Sequence, residues 1–246
     1  MTHTETTDLI ATLCQTGDLK VWSLLVTLFG DAAMADGAVL SGPQISEILG
    51  RLQIRPEAQR VALHRLRKDG WITATRRGRI GLYGLSTRGR AETAAVADRV
   101  YAPSIPDAPA RYVIVTRDGT EAPKQALLLG AGRYLGPVPG GADTLSAPLP
   151  GPLPPWVAAS AVPEPLGTDL AWLRDALDHG PTRPEDPMTA TAQRLVILHH
   201  WRRLALRLAP EAEALLGPDW VGAACRARVA AHLAALPRLS PTAPAP

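Results

Sequence analysis

Cysteines and long apolar runs are scarce in this 246-residue sequence. With only Cys14 and Cys225, the chain has neither a disulfide framework nor the cysteine spacing of a zinc site. The longest uncharged stretch, residues 144–163, is interrupted by prolines and so cannot form a membrane-spanning helix. The amino terminus has no basic residue ahead of an apolar run. We therefore expect no secretory signal and a cytoplasmic protein.

Catalytic motifs are also missing. The sequence contains no glycine-rich phosphate loop, no G-x-S-x-G elbow, no H-E-x-x-H pair and no Cys/His nucleophile arrangement. His199 and His200 are adjacent, so on a helix they point about 100° apart and cannot ligate one metal ion in the i, i+4 manner. We therefore predict no enzymatic activity, no metal site and no cofactor.

Charge is unevenly distributed along the chain. Hydrophobic residues make up 46% and charged residues 20%, which is typical of a globular protein and excludes disorder throughout. The net charge is only +3, yet residues 51–90 carry eleven cations against Glu57 and Asp69. That segment favours a polyanion as partner, with a solvated surface as the alternative. The cations are Arg51, Arg55, Arg60, Arg65, Arg67, Lys68, Arg76, Arg77, Arg79, Arg88 and Arg90.

Apolar spacing predicts three short helices in the first part of the chain. A stripe at helical spacing begins at Val21 and ends near Gly30. Ser41 with Gln44 three residues later resembles a capping box at the start of a second helix. The third helix ends at Gly70. Its inner face is formed by Gln59, Ala62, Leu63 and Leu66, and its outer face by Glu57, Arg60, Val61, His64, Arg67 and Lys68.

A basic hairpin follows these helices. Residues 71–75 and 80–85 are rich in β-forming side chains, and the turn between them reads Arg76-Arg77-Gly78-Arg79. Three helices and a hairpin in this order form a winged helix-turn-helix, whose third helix enters the major groove of DNA. We assign residues 18–101 to this DNA-binding domain.

Proline separates the remainder of the chain into two further regions. Residues 107–180 are predicted to form a small α+β region, with strands at 111–116 and 156–162, helices at 122–129 and 168–177, and an irregular loop at 136–155. Residues 188–237 return to helical spacing and are predicted to form a carboxy-terminal helical domain. The tail, residues 240–246, is predicted to be disordered.

Three segments resemble one known family. The first segment is residues 23–31, which read SLLVTLFGD. The second is residues 60–86, which begin with RVALHRL and contain DGW, GR and YGLS. The third is residues 198–222, which contain LHHWRR and GPDWVG. They resemble the opening helix, the recognition helix with its wing, and the carboxy-terminal signature of PaaX-like transcriptional regulators. These are repressors of the phenylacetate-catabolism type.

The resemblance implies a fold and a function. It implies a predominantly helical α+β protein in which residues 107–180 are a shortened ferredoxin-like domain and residues 188–237 serve dimerisation and effector binding. Members of the family repress aromatic-degradation operons as homodimers. They release double-stranded DNA when they bind an aryl-acyl-CoA effector such as phenylacetyl-CoA.

The candidate DNA-binding residues lie on the third helix and the wing. Gln59, Arg60 and His64 are candidates for base edges, and for Gln59 a packed position on the inner face is an equal alternative. Phosphate contacts are predicted for the cations of the last helical turn and of the wing, with a solvated surface as the alternative for Arg67. These cations are Arg65, Arg67, Lys68, Arg76, Arg77 and Arg79.

Candidate effector residues lie near the carboxy terminus. His199, His200, Arg202 and Arg203 could line a pocket for an acyl-CoA, with the guanidinium groups on its phosphates. The alternative is a basic helix face that pairs with Glu211 and Glu213.

The sequence therefore predicts a dimeric, effector-responsive repressor that binds a partly palindromic operator. The alternative is a module that binds nucleic acid or protein, has a residual nuclease-like central domain and responds to no effector.

Overall fold

The computed structural model describes residues 2–15, 19–106, 108, 110–117, 121–178 and 183–242, and of residues 2–8 the backbone alone. The protein has an α+β fold with two small antiparallel sheets, and helices predominate. Two compact units are present. Unit 1 comprises Met1–Tyr101, Ala176–Arg203 and Val229–Pro246, and unit 2 comprises Ala102–Asp175 and Leu204–Arg228. The residues predicted as a carboxy-terminal domain, 188–237, are thus divided between the two units.

The helices and strands follow one another along the whole chain. The helices are α1 (Thr2–Gln15), α2 (Val21–Ala32), α3 (Gly42–Arg51), α4 (Pro56–Lys68), α5 (Thr87–Tyr101), α6 (Pro155–Ala161), α7 (Glu164–Ala176), α8 (Pro187–Ala205), α9 (Pro210–Leu216) and α10 (Val221–Ala235). The strands are β1 (Leu40–Ser41), β2 (Ile72–Arg77), β3 (Ile80–Leu85), β4 (Tyr112–Thr116), β5 (Leu127–Gly130), β6 (Arg133–Gly136) and β7 (Thr144–Pro148). No helix among the described residues is long and apolar enough to cross a membrane.

The predicted helices α2, α3 and α4 are all present in unit 1, and local sequence explains their ends. Helix α3 begins with the capping box: the Ser41 hydroxyl accepts from the Gln44 backbone N–H at 3.3 Å, and Gln44 Oε1 accepts from the Ser41 N–H at 3.0 Å. Pro56 occupies the first turn of α4, where no intrahelical N–H partner is needed. Helix α4 ends at Lys68, and Gly70 follows it with a φ of 72°, in the left-handed region that glycine favours.

The hairpin of β2 and β3 follows α4 directly. Its strands pair in antiparallel register from Ile72↔Leu85 to Arg77↔Ile80, and β1 pairs with the outer side of β3. The backbone N–H of Trp71 donates to the Leu66 carbonyl at 2.9 Å, which ties the start of the hairpin to the last turns of α4. Helix and hairpin are therefore held together by the backbone.

Helix α8 forms the centre of unit 1. Every residue from 190 to 201 is buried, so no side of this stretch faces solvent. A helix that is covered on all sides is a core helix. The sequence predicted α8 as a helix with one apolar face, but its polar side chains are buried as well.

Two elements of unit 1 were not predicted or were predicted otherwise. Helix α1, Thr2–Gln15, lies ahead of the predicted domain, and its buried residues include Leu13. In the predicted disordered tail, Thr242 pairs with Val39 next to β1 and donates a side-chain hydrogen bond to Gln44 Oε1. For residues 240–242 the prediction is therefore wrong. Residues 243–246 lie outside the described part.

In unit 2 the predicted strand at 111–116 and helix at 168–177 correspond to β4 and α7, but three other predictions are wrong. Residues 156–161 belong to helix α6 instead of a strand. This segment contains three alanines, and alanine has the highest intrinsic preference for helix. Residues 122–129 do not form a helix. Gln125 has a φ of 58°, and residues from Leu127 onward enter β5, which pairs with β6. The predicted irregular loop, 136–155, contains β7, which pairs with β4.

The sheet of unit 2 has the strand order β5-β6-β4-β7, with every neighbouring pair antiparallel. The described residues of the connections 117–126 and 137–143 contain no helix. Helices α6 and α7 follow the last strand instead.

Candidate nucleic-acid interface

One face of α4 presents cations to solvent. Apolar residues on the opposite face are buried, with Leu63 and Leu66 6% and 2% exposed, so the charged residues must point outward. The exposed set contains five of the predicted DNA-binding residues: Arg60, His64, Arg65, Arg67 and Lys68.

Gln59 does not belong to this exposed face. Its side chain is 6% exposed and lies among the buried residues of α4. As placed, it cannot reach a base edge without leaving the interior. The packed alternative is therefore the one observed, and Gln59 is left out of the site.

The cations of α4 are oriented by near neighbours on the helix. Arg60 forms an exposed ion pair with Glu57 at 2.8 Å, one helical turn back. Arg67 Nη2 lies 3.5 Å from the His64 ring. Exposed pairs of this kind stabilise a protein little, and the guanidinium groups can exchange them for a phosphate.

Arg65 has a more specific environment. Its guanidinium carbon lies 5.2 Å from the centre of the Trp22 ring, a cation–π contact between α4 and α2. Asp69 lies 3.6 Å from Arg65 Nε. Trp22 is 37% exposed, which is large for an apolar side chain. No sequence pattern indicated its role, because only the fold brings α2 next to Arg65.

The tip of the hairpin presents three further cations. Arg76 and Arg77 close β2, Arg79 precedes β3, and all three are exposed. Gly78, at a φ of 60°, takes the first central position of a two-residue turn, where a type II′ turn requires glycine. The turn leaves the arginine side chains outside the sheet.

Other cations of residues 51–90 have structural partners. Arg51 pairs with Asp186 at 3.2 Å, and Arg88 donates to the Asp69 carbonyl at 3.3 Å. Arg90 donates to the carbonyls of residues 34 and 35, each at 2.7 Å. Arg51 and Arg88 are exposed but paired, and Arg90 is half-buried, whereas the exposed cations of α4 and the hairpin tip form the candidate surface.

Val61 is an exposed apolar residue of α4 within this surface. It lies next to Arg60 on α4 and is 69% exposed. The sequence places it on the outer face, but periodicity alone gives it no role. An exposed β-branched side chain among cations is the type that contacts the methyl group of thymine.

The four predicted effector residues do not line one pocket. His199 and His200 are buried in the core of unit 1, and His200 Nε2 lies 2.8 Å from the Leu13 carbonyl. Arg202 donates to the hydroxyls of Ser23 and Thr27 on α2, at 2.9 and 3.1 Å. The fourth residue, Arg203, is exposed.

Arg202 borders a cavity of only about 50 Å³, which has room for little more than a water molecule. Glu213, named in the alternative, forms a buried ion pair with Arg226 of α10 at 2.5 Å.

Burial changes the titration of two of these residues. It lowers the pKa of His199 to about 3, with neighbouring His200 and Arg202 acting in the same direction. Burial also lowers the pKa of Arg202, and neighbouring Arg203 adds to the effect. At neutral pH His199 is therefore an uncharged core residue.

The amino-terminal part of the chain is similar to known proteins. Residues 20–89 match the family model described as PaaX-like protein. The transcriptional repressor PaaX of Escherichia coli (strain K12) is 27% identical over 99 residues, which are 40% of this chain. The match spans 31% of that repressor's length. The predicted resemblance to PaaX-like proteins is confirmed over this region.

A solved structure is similar over a longer range. An uncharacterized protein from Mycobacterium tuberculosis is 20% identical, with 89% of this chain and 96% of that chain covered, at a TM-score of 0.49.

Proposed function

Because residues 20–89 are PaaX-like, we propose that the protein is a DNA-binding transcriptional regulator and acts as a repressor. In this proposal α2, α3, α4 and the hairpin of β2 and β3 form a winged helix-turn-helix. Helix α4 enters the major groove of double-stranded DNA. The observation that carries the proposal is the exposed cationic surface on α4 and the hairpin tip, within the residues that match the family.

Different side chains of this surface serve different contacts. Arg60 and His64 lie in the first half and middle of α4, where a recognition helix contacts base edges, and Arg60 suits the two acceptors of guanine. The cations of the last turn of α4 contact phosphates and position the helix. At the hairpin tip, Arg76, Arg77 and Arg79 contact the backbone or enter a minor groove.

A homodimer and an effector complete the proposal. Two copies of the winged helix would bind half-sites about one helical turn apart on a partly palindromic operator. An aryl-acyl-CoA such as phenylacetyl-CoA would release DNA by binding more tightly to the conformation that does not fit the operator. The PaaX repressor of E. coli supports the repressor role, and the remaining steps are proposals for this chain.

The test is a binding titration of the full chain. Fluorescence anisotropy with DNA from upstream of its own gene is measured over a salt series, with and without phenylacetyl-CoA. Several phosphate contacts predict that log K falls steeply with log salt, with a slope of about −0.9 per contact. Tight, salt-dependent binding that phenylacetyl-CoA releases supports both DNA binding and this effector. Tight binding that phenylacetyl-CoA does not change supports a DNA-binding regulator and contradicts phenylacetyl-CoA as its effector.

Matched variants locate the surface. Replacement of Arg76, Arg77 and Arg79 by Gln should weaken binding and reduce the salt slope by about three. The control is Arg117→Gln in unit 2, an exposed arginine that pairs with Asp143 at 3.6 Å. Equal losses of DNA affinity in the triple variant and in Arg117→Gln would contradict the proposed surface.

Oligomeric state is measured by sedimentation of the full chain. Deletion of residues 189–246 does not test dimerisation, because it removes most of α8 and with it the core of unit 1. The alternative function, a module that binds nucleic acid or protein without an effector, predicts no preference for the upstream DNA over random DNA. If the module's partner is a protein, a shallow salt dependence is expected as well.

A further inference from the structure

Unit 2 contains a cavity whose lining includes none of the predicted DNA-binding or effector residues. Its volume is about 800 Å³, within the range of small-molecule sites. Residues of α6 and α7 line it, together with residues of the segments 151–154 and 216–221 and with Arg111. All of its lining residues belong to unit 2.

The wall of this cavity is largely apolar. Prolines of the segment 151–155 and alanines of α6 and α7 line it, together with Val162, Leu216 and Trp220, which are 6%, 3% and 5% exposed. The alanines of α6 and α7 have small side chains that occupy little of this volume. Val162, Leu216 and Trp220 are buried residues at its edge. Such a wall favours an apolar ligand body.

Charged side chains border the cavity at different depths. Arg111 and Arg174 are half-buried, whereas Glu164 and Asp219 are exposed. Arg111 Nε donates to the Leu215 carbonyl at 2.8 Å, which fixes the guanidinium beside the wall.

Arg174 donates through Nε to Asp175 at 2.7 Å, and Asp175 is exposed and absent from the lining. The two arginines are less exposed to water than the two carboxylates, and charges act more strongly where water is partly excluded.

We infer that this cavity binds a small apolar molecule that carries one acidic group, with the apolar body against Trp220 and the acidic group near Arg174. A cavity with apolar walls and a few charged groups that orient the ligand is the usual form of a small-molecule site. The ligand's role as effector rests on the proposed function, but its binding does not. The site also differs from the predicted effector residues, none of which lines this cavity.

Two fluorescent probes of matched shape test the inference on the full chain without DNA. One is 8-anilinonaphthalene-1-sulfonate, an aromatic acid, and the other is N-phenyl-1-naphthylamine, which lacks the sulfonate. We expect both to bind, the sulfonate about tenfold more tightly because its charge adds a charge-assisted hydrogen bond. Replacement of Arg174 by Gln should remove this difference, and Arg117→Gln should leave it unchanged. Equal affinity of both probes for the unmodified chain overturns the acidic part of the inference.

Variants that fill the cavity test its location. Ala159→Trp adds an indole from an exposed position on α6. Gly167→Leu does the same from α7, where an added Cβ meets no heavy atom within 4 Å. Both should abolish binding of both probes with unchanged circular dichroism. Ala224→Trp is the control, an exposed alanine of unit 2 outside the lining. Binding that survives both filling variants overturns the site.

Displacement then distinguishes the source of the acidic group. Phenylacetate and phenylacetyl-CoA share the apolar body, and each is titrated against the bound sulfonate probe. Displacement by either supports the inference and identifies the free acid or the thioester as the preferred form. If neither phenylacetate nor phenylacetyl-CoA displaces the probe at saturating concentration, the result overturns binding of an arylacetyl ligand in this cavity. Since no DNA is present, failure here leaves the proposed DNA binding unaffected, and failure of DNA binding leaves this result unaffected.

Discussion

Arg194 of α8 binds the carboxylate of Asp31 at the end of α2. Its Nε and Nη2 donate to Oδ2 and Oδ1 at 2.6 and 2.8 Å, the bidentate geometry that suits a guanidinium. Both side chains are nearly buried, at 4% and 9% exposure. Arg194 Nη1 donates to the carbonyls of Leu233 and Leu236 at 2.6 and 2.9 Å. One arginine therefore ties α2 to both α8 and the carboxy-terminal end of α10.

Removal of the charge on Asp31 should destabilise unit 1. In Asp31→Asn the buried guanidinium loses its counter-charge, and breaking a buried pair costs about 3–5 kcal/mol. Urea denaturation followed by circular dichroism measures the loss. Asp36→Asn is the control, because its partner Arg90 lies 3.3 Å away but Asp36 is fully exposed. A midpoint for Asp31→Asn equal to that of the control would contradict the assigned role.

Local sequence predicted unit 1 well because its signals act over short distances. The capping box of Ser41 and Gln44, and the stop at Gly70, fix helix ends within a few residues. The importance of Asp31 could not be predicted this way. Its partner lies 163 positions along the chain, and only tertiary packing brings the two together.

Unit 2 was predicted less well because its strands depend on distant partners. Residues 127–130 have helix-forming leucines, yet pairing with β6 makes them a strand. Residues 144–148 end in a proline, and pairing with β4 makes them β7. The cavity in this unit had no sequence signal, since its lining comes from separate stretches of chain.

The candidate DNA surface was largely predictable, because helical periodicity decides which residues of α4 face outward. Periodicity placed Gln59 on the inner face, where it is buried, although its amide side chain is of the type that contacts adenine. It also could not show that Arg90 is held by the carbonyls of residues 34 and 35. Cations in a basic segment are thus separated by the fold into a surface and a set of structural ties.

Acid should destabilise the core around His199. Its pKa is lowered to about 3 in the folded protein, chiefly by burial, whereas the unfolded chain titrates near the ordinary value of about 6.5. The unfolded state therefore binds more protons between these values. Stability is fully present above about pH 6.5 and falls by up to about 1.4 kcal/mol per pH unit below it.

Urea denaturation at about pH 7.5 and about pH 5 measures this effect. His199→Leu cannot take up a proton, so its stability should fall less between the two pH values. His64→Leu is the control, since His64 is exposed on α4. If His199→Leu keeps the full pH dependence of the unmodified protein, the acid sensitivity arises elsewhere.

Arg60→Ala should reduce both the affinity and the specificity of DNA binding. A bidentate contact with guanine is worth about 1–3 kcal/mol, and its loss relaxes the preference at one position. Selection from a random DNA library, followed by anisotropy on the selected sequence, measures both. Glu57→Gln is the informative companion, because it releases Arg60 from its 2.8 Å pair without removing the cation. Arg60→Ala with unchanged affinity and unchanged selection would exclude Arg60 from base recognition.

Val61 should confer a preference for thymine. Its exposed side chain on the outer face of α4 can contact the thymine methyl group, which uracil lacks. Replacing the thymines of the selected sequence one at a time by uracil should weaken binding of the unmodified protein at one position. In Val61→Ala the same replacement should have a smaller effect, so the two changes are non-additive. The control is Thr73→Ala, which shortens another exposed β-branched side chain, on β2 rather than on α4. Strictly additive losses at every thymine would show that Val61 touches no methyl group, and the apolar side chain would then need another explanation on this cationic surface.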